Sequence, residues 1–66
     1  MIITINGKER EVPDNLTVSG LVSFLNINSE RVAIELNREI AKKSNWDNIY
    51  LKNGDILEIV SFVGGG

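Results

Sequence analysis

Apolar and polar residues alternate in the middle of the chain, where residues 31–37 place apolar side chains at every second position and Glu35 between them. A period of two predicts a half-buried strand with Glu35 facing solvent. Residues 1–5 are mostly β-branched and end in Asn6-Gly7, a dipeptide typical of two-residue hairpin turns because both positions accept a positive φ. We therefore expect a hairpin whose second strand covers residues 9–12.

A different spacing follows Pro13. Val18, Leu21, Val22 and Leu25 are three or four positions apart, which predicts one apolar stripe on a short helix. Thr17, in preference to Asn15, is the expected N-cap because its hydroxyl can accept a hydrogen bond from an exposed amide of the first turn.

Gly20 costs this helix about 1 kcal/mol relative to Ala. We interpret it as a point of close approach to the sheet, in preference to a tolerated flaw in the helix. Further along, residues 39–41 predict a short strand and residues 44–47 a single-turn connection. Trp46 within that connection is expected to cover the sheet edge as a lid, in preference to anchoring a partner.

The last apolar run covers residues 56–63, and Glu58 sets its orientation. Leu57 and Ile59 on either side of Glu58 should face inward, since the opposite choice would bury a charge. Val60 and Phe62 then face outward. With Ile2 expected beside them and Val63 following, they predict an apolar patch that binds a partner.

The order of elements is strand, strand, helix, strand, strand, turn and strand, which predicts an α+β roll. The helix must lie across one face of the sheet to cover its apolar stripe. We expect the first and last strands to be parallel neighbours. The residues expected to face inward are Ile3, Ile5, Val12, Val18, Leu21, Val22, Leu25, Val32, Ile34, Ile40, Leu51, Leu57 and Ile59.

Composition excludes several kinds of chemistry. The chain contains no Cys and no His, which removes disulfides, thiolate nucleophiles, the usual zinc and iron–sulfur ligands and imidazole catalysis. We predict no metal site, no catalytic residues and no autonomous enzyme.

Seven basic against nine acidic residues, with no basic stripe, argue against nucleic-acid binding. The sequence starts without a signal-like segment and has no membrane-length apolar run, so a cytoplasmic protein that binds no membrane is expected.

The chain ends in Gly64, Gly65 and Gly66 directly after the last predicted strand. We expect residues 1–63 to form the globular domain and residues 64–66 a flexible tail. Glycine has no Cβ, so such a tail can enter a narrow channel of a partner. The Gly66 carboxylate is then the group available for chemistry.

Several segments together resemble the ubiquitin-like β-grasp family and, within it, the sulfur carriers of the ThiS family, which serve thiazole (thiamine) biosynthesis. The resemblance rests on residues 5–8, residues 32–37, Glu39-Ile40 with Trp46 downstream, and above all residues 53–66 with their Gly54-Asp55 turn and Val-Gly-Gly-Gly ending. It implies a mixed five-stranded sheet with one helix across one face.

The resemblance also implies a mechanism. The Gly66 carboxylate would be adenylated with ATP by a ThiF-type adenylyltransferase. A persulfide sulfur donor would then convert it to a thiocarboxylate, which would deliver sulfur to thiazole synthase, ThiG. Residues 64–66 would enter the partner's active site, and no cofactor would be bound by the chain itself, because ATP is used by the activating partner.

Other functions are open at this stage. A MoaD-like carrier of sulfur for molybdopterin has a similar fold and tail. A ubiquitin-like modifier would use the same activation but pass the carboxyl group to an amine. A carrier with a covalently attached cofactor would need a presented Ser or Lys, for which the chain offers no convincing site.

Overall fold

The computed structural model describes residues 1–62. Five strands and one α-helix make up the fold: β1 (Ile2–Ile5), β2 (Lys8–Glu11), α1 (Val18–Phe24), β3 (Val32–Leu36), β4 (Glu39–Ile40) and β5 (Ile56–Ser61). Short 3-10 helices at Ser29–Arg31 and Lys43–Asn48 fill the connections on either side of β3 and β4. The predicted order of elements is confirmed.

The strands form one mixed sheet in the order β2-β1-β5-β3-β4. β1 and β5 are parallel neighbours, as predicted, and every other pair is antiparallel. The last strand in the sequence therefore lies at the centre of the sheet, with β1 on one side and β3 on the other. Helix α1 covers one face, which we call the inner face.

The local sequence accounts for the turn and the helix start. Asn6 and Gly7 have φ values of 50° and 83°, the left-handed backbone that a two-residue hairpin turn requires. Thr17 caps α1, because its Oγ1 accepts a hydrogen bond from the Gly20 N–H at 3.0 Å. Both expectations from the sequence are confirmed.

The core lies between α1 and the inner face of the sheet. Most of the residues expected to face inward are buried or packed against the core; the fully enclosed side chains are Ile3, Leu21, Ile34, Leu57 and Val18. Trp46 is 4% exposed and its Nε1–H donates to the Ala41 carbonyl oxygen at 2.8 Å. Trp46 is therefore buried in the core, as the lid interpretation requires, and is not exposed as a partner anchor would be.

Two expectations about packing are wrong. Ile40 is 76% exposed, whereas Ala41 is buried. Ile40 pairs with Glu35, and direct partners in an antiparallel ladder share a face, so Ile40 lies on the outer face with that carboxylate. Gly20 does not approach the sheet: a Cβ there would first meet Leu16 Cδ1 at 3.0 Å and Thr17 Oγ1 at 3.3 Å, both from the segment that precedes the helix.

Candidate functional site

The face of the sheet opposite α1, which we call the outer face, has no covering layer within residues 1–62. Along β5 its side chains are Ile56, Glu58 and Val60, and Phe62 follows directly after the strand. The exposed fractions are 53% for Ile56, 57% for Val60 and 55% for Phe62. We call Ile56, Val60 and Phe62 the outer row.

Ladder pairing explains this orientation. Val60 pairs with Ala33, and Glu58 pairs with Glu35, while the inward-facing Leu57 and Ile59 pair with Leu36 and Ile34. Alternation along a strand sends successive side chains to opposite faces. The predicted outward orientation of Val60 and Phe62 is therefore confirmed as geometry, and their role in binding stays a prediction.

Ile2 does not lie beside Val60 and Phe62, so that part of the predicted patch is wrong. Ile2 is exposed on the outer face, but the Gly54 N–H donates to its carbonyl oxygen at 2.7 Å, which places Ile2 level with Gly54. Val60 lies six positions further along β5, roughly 20 Å at about 3.3 Å per residue. Parallel pairing of β1 with β5 thus separates Ile2 from the end of β5.

The outer row includes a residue that the sequence interpretation did not assign to the patch. Ile56 lies beside Thr4 of β1 and is as exposed as Phe62. The sequence could have predicted this, because Ile56 lies two positions from Glu58 and therefore faces the same side of the strand. Ala33, which pairs with Val60, could be assigned to the outer face in the same way, because it lies two positions from Glu35.

Charge on the outer face is negative. Glu35 and Glu58 are direct cross-strand partners, and Glu9 and Glu11 of β2 lie on the same face through their pairing with Thr4 and Ile2. Like charges opposite each other in a ladder are unfavourable. The outer face therefore combines exposed apolar side chains with carboxylates, a surface that suits a partner with apolar and basic groups.

Two asparagine side chains hold β5 at its ends. Ile56 N–H donates to Asn37 Oδ1 at 2.9 Å, and Ile59 N–H donates to Asn6 Oδ1 at 2.7 Å. Asn6 Nδ2 also donates to the Ile59 carbonyl oxygen at 3.0 Å. Asn6 is predicted only as a turn residue, and nothing in the local pattern shows that the amides of Asn6 and Asn37 reach another strand.

The predicted reactive group lies outside the described residues. Val63, Gly64, Gly65 and Gly66, and with them the predicted boundary between globule and tail, follow the last described residue, Phe62. The structure does show which strand leads to them. It is β5, the central strand, with hydrogen bonds to neighbours on both sides.

Among residues 1–62 no group of three or more His, Cys, Asp or Glu side chains is placed to hold a metal ion. In the same range, no helix has the length and apolar character needed to cross a bilayer. Among residues 1–62, no buried side-chain nitrogen or oxygen atom lacks a hydrogen-bond partner.

Comparisons with known proteins identify the family. The profile of the ThiS family matches residues 3–66. The chain is 33% identical to the Bacillus subtilis "Sulfur carrier protein ThiS", with 98% of this chain and all of that protein covered. A crystal structure of the thiamine biosynthesis protein (ThiS) from Geobacter metallireducens has 38% identity and a TM-score of 0.87, with both chains fully covered.

One longer relative contains a similar segment. The "Thiazole synthase" of Paramagnetospirillum magneticum is 44% identical over all 66 residues, and the chain spans a fifth of its length. The family match over almost the whole chain, the full-length relative and the shared five-stranded architecture agree. The chain belongs to the ThiS family and has its ubiquitin-like β-grasp fold.

Proposed function

We propose that this chain is a sulfur carrier for the thiazole of thiamine, and that the Gly66 carboxylate carries the sulfur. The observation that carries the proposal is the match to the ThiS family through residue 66, together with a full-length relative named as a sulfur carrier. Composition supports it, since a chain without Cys cannot hold sulfur as its own persulfide.

The chemistry requires activation by a partner. A carboxylate is a poor acyl donor until one oxygen becomes part of a leaving group. A ThiF-type enzyme would transfer AMP from ATP to the Gly66 carboxylate and release pyrophosphate. A persulfide sulfur would displace AMP, and cleavage of the resulting S–S bond by a thiol would leave the thiocarboxylate. The chain acts as a co-substrate in this sequence, not as the catalyst.

The fold suits delivery of such a group. From Val63 onward the chain can extend roughly 10 to 14 Å, at about 3.3–3.6 Å per residue. That reach lets Gly64, Gly65 and Gly66 enter a partner's active site while the globule stays outside. The Val60 and Phe62 side chains are exposed at the end of β5, which supports the proposal that they contact the rim of that site.

Thiazole synthase is the proposed receiver of the sulfur. The Paramagnetospirillum magneticum thiazole synthase contains a segment 44% identical to this whole chain. Joining of two functions in one polypeptide raises their effective concentration for each other, which is expected when they act in sequence. We infer that this chain delivers sulfur to an enzyme of that class.

The decisive experiment measures the mass of the C-terminal peptide. Incubation with ATP, a ThiF-type enzyme, a persulfide donor and a thiol should replace one carboxylate oxygen by sulfur, and the mass change should be confined to the last peptide. Omission of ATP should abolish it. A covalent link to another protein through an amide would instead support a modifier of the ubiquitin type.

Tail variants test whether Gly66 is the reacting group. Extension by one residue, or deletion of Gly66, should abolish loading, because misplacement of a reacting group by ~1 Å can cost ~10²-fold. Gly65→Val should load poorly, since a β-branched side chain would clash in a channel built for bare backbone. All three should melt at the wild-type temperature. Loading of the extended chain at the wild-type rate would refute the assignment of Gly66.

A further inference from the structure

Asn6 has a second role beyond the hairpin turn. Its backbone ends the pairing of β1 with β5, because the Asn6 N–H donates to the Leu57 carbonyl oxygen at 2.9 Å and the chain then turns away into β2. Its side chain continues where the backbone stops. The Asn6 amide accepts from Ile59 N–H at 2.7 Å and donates to the Ile59 carbonyl oxygen at 3.0 Å.

The amide thus takes the place of a peptide group in the ladder. Asn supplies one acceptor and two donors on a planar group, so a single side chain can satisfy both the N–H and the C=O of a facing residue. The left-handed φ of Asn6, 50°, is a conformation that Asn tolerates better than most residues. The left-handed turn conformation and the contact with Ile59 therefore both favour Asn at position 6.

This contact supports β5 on a side where β1 offers no further strand. On the other side, β3 stays paired with β5 as far as Val32 and Ser61, and the Phe62 N–H donates to the Arg31 carbonyl oxygen at 2.7 Å. On the β1 side, strand pairing ends with Ile5 and Leu57. The Asn6 side-chain amide extends the support on this side to Ile59, the residue directly before Val60.

We propose that Asn6 is a positioning residue that fixes the direction in which β5 presents Phe62 and the residues after it to the activating enzyme. The inference rests on the proposed function. Without the amide, residues 59–62 are held from the β3 side only. Binding must then restrict backbone freedom that the wild-type protein has already lost on folding. The expected consequence is weaker binding of the carrier, not slower chemistry.

Asn37 supplies a matched control at the other end of the same strand. It has the same φ of 50°, and its Oδ1 accepts from Ile56 N–H at 2.9 Å. Asn6→Gly and Asn37→Gly both remove an amide that holds β5, and both keep a residue that accepts positive φ. The two variants differ in which end of the strand they release.

Steady-state adenylation by a ThiF-type enzyme, with carrier concentration varied, provides the functional measurement. Asn6→Gly should raise the KM for the carrier roughly tenfold, the equivalent of restoring about one residue of backbone freedom. Its kcat should stay within about twofold of wild type, because the bound geometry is the same once binding has ordered the strand. Asn37→Gly should leave both constants near wild type.

Amide hydrogen exchange provides a measurement that needs no enzyme. In Asn6→Gly the Ile59 amide should exchange at least tenfold faster while the Ile56 amide keeps its rate, and Asn37→Gly should show the reverse pattern. Thermal unfolding of both variants separates this local release from a general loss of stability.

Three outcomes overturn the positioning role: unchanged KM in Asn6→Gly, an equal rise of KM in both variants, or unchanged exchange at Ile59. Wild-type protein that is never adenylated would instead refute the proposed function, and the inference would fall with it. A wild-type protein that loads normally beside an Asn6→Gly variant with the same KM refutes the inference alone.

Discussion

Phe62 provides the sharpest test of the outer row as a docking surface. A Phe side chain offers about 150–250 Å² of surface that can be buried. Since Phe62 is 55% exposed, on the order of 100 Å² is left for a partner to cover. At ~25 cal/mol per Å², covering that area contributes about 2.5 kcal/mol to binding. Phe62→Ala should therefore weaken binding to the activating enzyme roughly 60-fold.

The structure predicts that this change leaves the fold intact. Phe62 lies one residue past the end of β5 and makes its link to Arg31 through the backbone, which Ala retains. The free energy of unfolding should fall by less than about 1 kcal/mol, as for most half-exposed positions. Isothermal titration of the carrier into a ThiF-type enzyme, with urea unfolding in parallel, measures both quantities.

Ile56→Ala is the matched control, because Ile56 is 53% exposed on the same face but lies at the start of β5. It should weaken binding less than about threefold if contact is limited to the end of the strand near the tail. Unchanged affinity of Phe62→Ala would remove Phe62 from the interface. Equal losses in both variants would refute the restriction to the tail end and assign the whole outer row to binding.

Two further predictions concern stability and are measured by urea unfolding. Leu21→Ala should cost about 2–5 kcal/mol because Leu21 is fully buried, whereas Phe24→Ala on the exposed side of the same helix should cost less than about 1 kcal/mol; equal losses would contradict the assignment of the core. Glu35→Lys should add about 0.2–1 kcal/mol at low salt by turning the pair with Glu58 into opposite charges, and salt should reduce the gain. A loss of stability at low salt would contradict the facing arrangement of these carboxylates.

The sequence predicted the orientation of β5 because one charged residue decided it. Glu58 could not be buried, and a period of two then assigned Leu57, Ile59, Val60 and Phe62 without further information. The helix was equally accessible, since its apolar stripe and the Thr17 cap are local signals. These features depend on residues that are close together in the sequence, so the pattern of apolar and polar positions is enough to predict them.

Two of the three errors depend on how strands pair with each other, which the local sequence pattern does not show. β4 has two residues, too few for their alternation to show which face of the sheet Ile40 occupies. Its pairing with Glu35 places Ile40 on the outer face. The place of Ile2 depends on the parallel register of β1 against β5, which joins residues more than fifty positions apart. The amide contacts of Asn6 and Asn37 likewise depend on where each turn meets β5.

The central place of β5 bears on how accurately the chain can present its last residues. A strand at the edge of a sheet is held on one side, and its end can move with the edge. β5 has neighbours on both sides, and asparagine amides hold it at Ile56 and Ile59, near its two ends. In the sheet order, β1 and β3 lie between β5 and the edge strands β2 and β4. For a protein proposed to place one carboxylate in a partner's active site, the strand that leads to the last residues is thus supported on both sides as far as Ile59.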